Sequence, residues 1–252
     1  MYEAIIISDL HLGSSNAQVF ALRRFLLSIR QGDLATSQLI LNGDVFDSHD
    51  FRRLKKHHWK ILSLLRSMSD EIPIIWINGN HDGPAEVISS LIGVRFADEY
   101  ILQSGDQRIL ILHGHQFDNF IDKHPIITAA ADLVYRGLQR LDPTFRMART
   151  AKRASKTFLR CSEMIELQAR NYAAKLGCTA VCCGHTHLEV VKTDDPGYFN
   201  SGSWTEIPCG FLTVRDGTIA LQHYQPHDDD VAWDEVADPP TLRLTSTLES
   251  QV

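Results

Sequence analysis

The sequence predicts an α/β fold in which two sheets pack together, the first largely parallel and the second antiparallel. Three observations carry this. Short runs of Ile, Leu and Val recur along the chain, each closing on Gly, Asp, Asn or His. Helical patterns separate the first three runs. The C-terminal third reads as strands joined by tight-turn signals. With 252 residues, 44% of them apolar, the chain is sized for one large domain with a substantial core.

Residues 4–8, 38–42 and 72–78 read as strands buried on both faces, with helices at about 17–30 and 51–68 between them. That alternation is the pattern of a parallel sheet. Residues 108–112 and 179–183 are two further apolar strands. Strands at 189–193, 198–200, 211–215 and 218–224 follow, linked by Asp195-Pro196-Gly197 and Asp216-Gly217. From 123 to 176 no strand pattern occurs. Apolar residues there recur at helical spacing, as in Phe158, Cys161, Ile165, Ala169 and Tyr172, and Asp142-Pro143 breaks the run into two helices. The expected organisation is one domain over 1–225 with a helical cap inserted at about 120–176. An acidic extension follows over 226–252.

Charge is unevenly placed. The total is −6, yet residues 123–176 hold eleven Lys/Arg against four Asp/Glu. An acidic protein is a poor match for nucleic acid, whose binding rests on neutralising phosphates. No apolar run reaches the ~20 residues of a membrane span. The N-terminus runs straight into a strand without a signal pattern, which predicts a cytoplasmic protein. Five cysteines, two of them adjacent, match no disulfide framework and read as small buried hydrophobes.

The chemistry lies where strands end. The five apolar strands are followed by Asp9-Leu10-His11, Gly43-Asp44, Gly79-Asn80-His81-Asp82, His113-Gly114-His115 and Gly184-His185-Thr186-His187. Ligands of open α/β sheets gather at the carboxyl ends of strands, so these residues are expected on one rim. In extended backbone, positions i and i+2 face the same way, which pairs Asp9 with His11 and His185 with His187. The glycines would let the chain turn sharply and approach closely. Carboxylate, imidazole and amide oxygen without thiolate suit Mn²⁺ first, with Fe or Zn²⁺ as alternatives. Seven such groups exceed one ion and fit two sharing a carboxylate, a pair that can clamp the oxygens of a displacement at phosphorus.

These five blocks, in order over residues 9–187, resemble the calcineurin-like metallophosphoesterase superfamily. The resemblance implies a four-layer αββα sandwich of two mixed sheets. It also implies that Asp9, His11, Asp44 and His187 bind one metal while Asp44, Asn80, His113 and His185 bind the other, with Asp44 bridging. His113 rather than His115 is the implied ligand. His81 becomes the general acid that contacts phosphate beside Asn80, while a metal-bridging hydroxide attacks phosphorus. Asp82 is read either as the N-cap of the next helix or as an orienter of His81, with the cap favoured. Asp47 is read as a partner of a ligand histidine or as a plain turn carboxylate. His49, His57 and His58 are expected in solvent.

Within the superfamily the chain is similar to the bacterial UDP-2,3-diacylglucosamine diphosphatases of lipid A biosynthesis. The shared blocks are Asp9-Leu10-His11-Leu12, Gly43-Asp44-Val45-Phe46-Asp47, the His-Gly pair at 113 and the 200–206 segment Asn-Ser-Gly-Ser-Trp-Thr-Glu. The chain departs from the best-known form at His81, where that enzyme has arginine, and at His115, where it has aspartate. This resemblance implies a nucleotide-linked lipid as substrate and a peripheral membrane association. Arg149, Arg153 and Lys156 of the basic cap are then candidate substrate-binding residues beside an anionic membrane surface. The alternative is a soluble phosphodiesterase or phosphatase acting on nucleotides or other small phosphoesters, with cap helices that merely cover the core.

Overall fold

The computed structural model describes residues 1–118 and 156–226. Among them, eleven strands form two sheets. The first sheet runs β11-β10-β1-β2-β3-β4: β1 (Ala4–Ile7), β2 (Leu39–Asn42), β3 (Ile74–Ile77) and β4 (Arg95–Ala97) are parallel. β10 (Cys209–Arg215) and β11 (Thr218–Tyr224) add antiparallel at the edge beside β1. The second sheet runs β5-β6-β7-β9-β8, from β5 (Glu99–Ser104), β6 (Gln107–Leu112), β7 (Ala180–Cys183), β9 (Gly197–Ser201) and β8 (Glu189–Lys192). Its central pairs are parallel and its two outer pairs antiparallel. Both sheets are therefore mixed. The C-terminal strands do not make a separate antiparallel sheet as their turns suggested, because β10 and β11 join β1 across the fold.

Strand alternation builds three apolar layers. Ala4, Ile6, Ile40, Ile75, Ile77 and Leu212 point inward against Ile109, Ile111, Ala180, Cys182 and Phe199, filling the space between the sheets. Ile5, Ile7, Leu39, Leu41 and Trp76 point the other way, onto α1 (Val19–Gln31) and α2 (Lys56–Met68) through Leu22, Phe25, Leu26, Ile61 and Leu65. Leu110, Leu112, Val181, Cys183 and Tyr198 meet Ala169 and Ala173 of α4 (Lys156–Lys175). Each fully buried Leu or Ile is worth ~1.5–3 kcal/mol relative to exposure, so these layers hold the sandwich. The result is the αββα architecture. The stripe of Ile165, Ala169 and Tyr172 expected in the cap is the face that makes α4 the fourth layer. The rest of the expected cap and all of the acidic extension after Pro226 lie outside the described residues.

Local chemistry sets the element ends. Gly32, left-handed at φ 89°, closes α1 by donating its N–H to Ile29 O at 3.1 Å. The helix expected over 51–68 is interrupted. A 3-10 turn at Phe51–Arg53 is capped by Asp50, Leu54 is extended, and α2 starts at Lys56. His58 stabilises that start: its Nδ1 accepts the Lys55 N–H at 2.9 Å. It is 2% exposed, which corrects its reading as a solvated residue. α3 (Ala85–Leu91) follows β3 and has Pro84, not Asp82, at its N-cap.

Candidate metal centre

The parallel strands deliver their carboxyl ends to one rim, and the two packed sheets bring two such rims together. Asp9, His11 and His187 form one group in which every candidate ligand atom lies within 4.8 Å of the others; Asp44, His113 and His185 form a second. Each group draws on both sheets. Asp9, His11 and Asp44 follow β1 and β2, while His113, His185 and His187 follow β6 and β7.

The atoms of the first group point at a common centre. His11 Nε2 and His187 Nε2 face each other at 3.2 Å, and Asp9 Oδ1 lies 3.0 Å from His187 Nε2. Asp44 borders both groups through one oxygen, Oδ2, which is 3.3 Å from His113 Nε2 and 3.8 Å from His11 Nε2. Its Oδ1 accepts the His81 N–H at 2.9 Å. Asp9 Oδ1 and His113 Nε2 are buried without a hydrogen-bond partner. Buried polar atoms are rarely left so, and a cation in each group would give each of them a partner. The donor set and the orphaned atoms fit a pair of divalent ions.

Electrostatics agree. Burial opposes the charge of Asp9, yet His187 and His113 outweigh it and hold the carboxyl at about 2. Burial likewise opposes the charge of Asp44, and His113 and His11 bring it well below the ordinary value. For His113 burial is overcome by Asp44 and Asp9, which push it up to about 10.

The backbone at these positions is not extended. Asp9, His11, Asp44, His185 and His187 all have φ between 46° and 63°, and among the described residues the one other non-glycine with positive φ is Asp216 in the β10–β11 turn. This corrects the expectation that the paired ligands share a face by strand alternation: left-handed backbone turns each side chain inward. Such conformations cost about 1–2 kcal/mol for a residue with a Cβ and concentrate at functional sites. The glycines serve close approach as expected. A Cβ on Gly43 would lie 2.3 Å from His113 Nδ1, and one on Gly79 would lie 2.2 Å from the Asp44 nitrogen.

Around this core each neighbour has a definite role. His81 Nδ1 contacts Asp47 O at 2.9 Å, and its ring stands 5.3 Å from that of His11. Asn80 lies on the same turn with its side chain exposed. Asp47 is more than a turn carboxylate. Its Oδ1 is 3.6 Å from His11 Nδ1, and its Oδ2 is held by Arg53 at 2.6 Å. His113 Nδ1 contacts Asn42 O at 2.8 Å, which leaves Nε2 toward Asp44. His115 stands 5.5 Å from His113, ring to ring, outside both groups. Burial, then His113 and His185, push it down to about 4.

Asp82 performs neither role expected of it. It is fully buried. Its Oδ2 accepts the N–H groups of Asp44 at 3.0 Å and Gly79 at 2.9 Å and the Trp76 indole at 3.1 Å, while Oδ1 accepts Phe46 N at 3.1 Å. It ties the loop after β2 to the loop after β3. Asp118 carries no motif signal in the sequence; its Oδ2 is 2.9 Å from His185 Nε2. Of the candidate substrate residues, Arg149 and Arg153 lie outside the described residues. Lys156 opens α4, and its side chain is likewise outside them.

A family model described as calcineurin-like phosphoesterase matches residues 3–189. Among solved structures, the phosphoesterase YfcE of E. coli is 18% identical; the alignment covers 88% of this chain and 99% of that one, with a TM-score of 0.48. A single mutant of Vps29 from Entamoeba histolytica is 16% identical over 87% of this chain and 97% of its own, with a TM-score of 0.43. No curated protein matches the chain in sequence.

Proposed function

We propose that this chain, which belongs to the calcineurin-like phosphoesterase family, is a two-metal hydrolase of a phosphoester or diphosphate bond. The observation that carries the reading is the pair of ligand groups, each built from both sheets, with Asp44 Oδ2 between them. Asp9, His11, Asp44 and His187 would hold one ion, and Asp44, Asn80, His113 and His185 the other. Bound there, two divalent ions supply Lewis acidity toward phosphate oxygens and bring a water toward ionisation near neutral pH.

The chain's own residues do the rest. His81 keeps its Nδ1 proton against the Asp47 carbonyl, so Nε2 is the atom that exchanges a proton with the substrate. His81 Nε2 protonates the oxygen that leaves phosphorus, acting as the general acid. The His81 N–H to Asp44 Oδ1 bond fixes the turn that carries this imidazole and Asn80.

The finer reading of the substrate is a nucleotide-linked lipid such as UDP-2,3-diacylglucosamine. It is supported by the sequence blocks shared with that group and by Leu159, Met164 and Leu167, which α4 leaves exposed. Membrane contact belongs to this finer reading. Among the described residues no helix is long and apolar enough to cross a membrane.

The test is metal analysis of the purified protein together with an Asp44→Ala variant on a chromogenic phosphodiester. Loss of at least ~10²-fold in kcat is expected, as for removal of one preorganised electrostatic group. Equal hydrolysis by variant and wild type would sink the reading. Turnover of soluble esters with no action on any acylated nucleotide sugar would remove the lipid substrate and leave the hydrolase.

A further inference from the structure

Three histidines of the site have Nδ1 turned toward a protein oxygen. His113 Nδ1 is 2.8 Å from Asn42 O, His81 Nδ1 is 2.9 Å from Asp47 O, and His11 Nδ1 is 3.6 Å from Asp47 Oδ1. His185 is reversed: its Nε2 is the nitrogen held, 2.9 Å from Asp118 Oδ2. We infer that Asp118 is a positioning residue that fixes His185 as the Nε2–H tautomer, so that Nδ1 is the nitrogen it offers to the Asp44–His113 group.

An ionised carboxylate only accepts hydrogen bonds, so a contact at this distance requires the imidazole proton on Nε2. The lone pair of the neutral ring is then on Nδ1. Both side chains are largely sheltered, at 8% and 13% exposure, which limits competition by water. The brace is anchored locally. The Asp118 N–H donates to His115 O at 3.0 Å, at the end of the 3-10 turn His115–Phe117, which Gly114 separates from His113. One short segment therefore supplies a ligand of the second group and the support for its neighbour. The His185 backbone is held from the other sheet, its N–H donating to Asp9 Oδ2 at 3.1 Å. Main chain and ring are thus fixed independently. Carboxylate partners of this kind orient a ligand imidazole and raise its basicity, and losing one commonly costs ~10–100-fold in metal affinity.

The metal half of this inference rests on the two-metal reading; the tautomer half does not. Long-range proton–nitrogen correlation spectra of the full chain, metal-free and labelled with ¹⁵N-histidine, report each ring's tautomer above the imidazole's ordinary pKa. A His185→Gln variant assigns the signal. The Nε2–H form is expected for His185 and a mixture in Asp118→Ala. In Mn²⁺ titrations Asp118→Ala should weaken one ion ~10–100-fold and the other less than ~3-fold, with Asp118→Asn between wild type and Ala. An Nδ1–H tautomer in the wild type overturns the inference, as does an Asp118→Ala protein that binds both ions as tightly as wild type. If the wild type binds fewer than two ions, the two-metal reading fails, and the tautomer still decides the Asp118 contact.

Discussion

Removing the Asp82 carboxylate should unfasten two loops at once. In Asp82→Ala, four buried donors lose their acceptor: the N–H groups of Asp44, Phe46 and Gly79, and the Trp76 indole. An unsatisfied buried donor costs ~1–3 kcal/mol, so even the low end gives about 4 kcal/mol. Part of that is offset, because burial, and then the Asp44 charge, already disfavour the ionised form and raise the Asp82 pKa. Asp82→Asn separates the contributions. With its oxygen where Oδ2 stood, the amide still accepts from three donors and turns its NH₂ toward Phe46 N, at a cost of about 1–3 kcal/mol. Against a typical total of about 5–15 kcal/mol, the alanine variant should be severely weakened. Urea unfolding of chelated protein measures both differences. Metal titration of the surviving variants should show weaker binding, since Asp44 and Asn80 ride on the loops Asp82 joins. The reasoning is refuted if both variants fall within ~0.5 kcal/mol of wild type, the usual range for an uninvolved site.

Other outcomes follow from the same geometry. His113→Ala should lose one bound ion, whereas His115→Ala should retain both, as metal counting would show; the reverse result would exchange their roles. Gly79→Ala drives a Cβ to 2.2 Å from the Asp44 backbone nitrogen, which must move, so both metal affinity and thermal stability should fall. His58 is pushed down to about 4 by burial and then by His57 and Lys55, below its ordinary 6.5. As pH falls below 6.5, the unfolded chain takes up a proton that the folded protein refuses until about 4. The stability His58 contributes is therefore present above 6.5 and is lost between 6.5 and about 4. A melting-temperature profile of chelated His58→Gln should be flatter than wild type in that window; parallel profiles would contradict it.

The parts legible in the sequence are those written in local pattern. β1, β2, β3, β6 and β7 are mostly apolar runs, and the residues that follow β1, β2, β6 and β7 converge in the two candidate groups. His113 was separated from His115 by resemblance, and the packing against Asn42 O gives the physical reason. What escaped depends on neighbours distant in sequence. Asp82 braces Asp44 and Phe46 only because β2 and β3 lie side by side, and nothing local to Asp82 encodes that. The left-handed backbone of Asp9, His11, Asp44, His185 and His187 arises where a strand ends against another loop, so strand alternation paired Asp9 with His11 for the wrong reason and wrongly paired His185 with His187, which divide between the two groups. β4 is three residues, none buried, and left no apolar signature. The place of β10 and β11 beside β1 was invisible because turns specify the hairpin but not the sheet it joins. His58 sits in a basic, polar stretch and is nonetheless buried, because its ring fills the start of α2.

Because each ligand group takes residues from both sheets, an ion seated there would work as a clasp across the seam of the sandwich. Below the rim the sheets are held by non-directional apolar contact; at the rim, an ion would join carboxylates that follow the first sheet to imidazoles that follow the second. Chelation should therefore loosen the molecule unevenly, leaving the far end of the sandwich packed while the catalytic edge breathes. Hydrogen exchange would then fall most, on adding metal, in the loops after β1, β2, β6 and β7. The protein's resistance to unfolding would track free metal as RT ln(1 + [M]/Kd), as for any ligand that binds only the folded state.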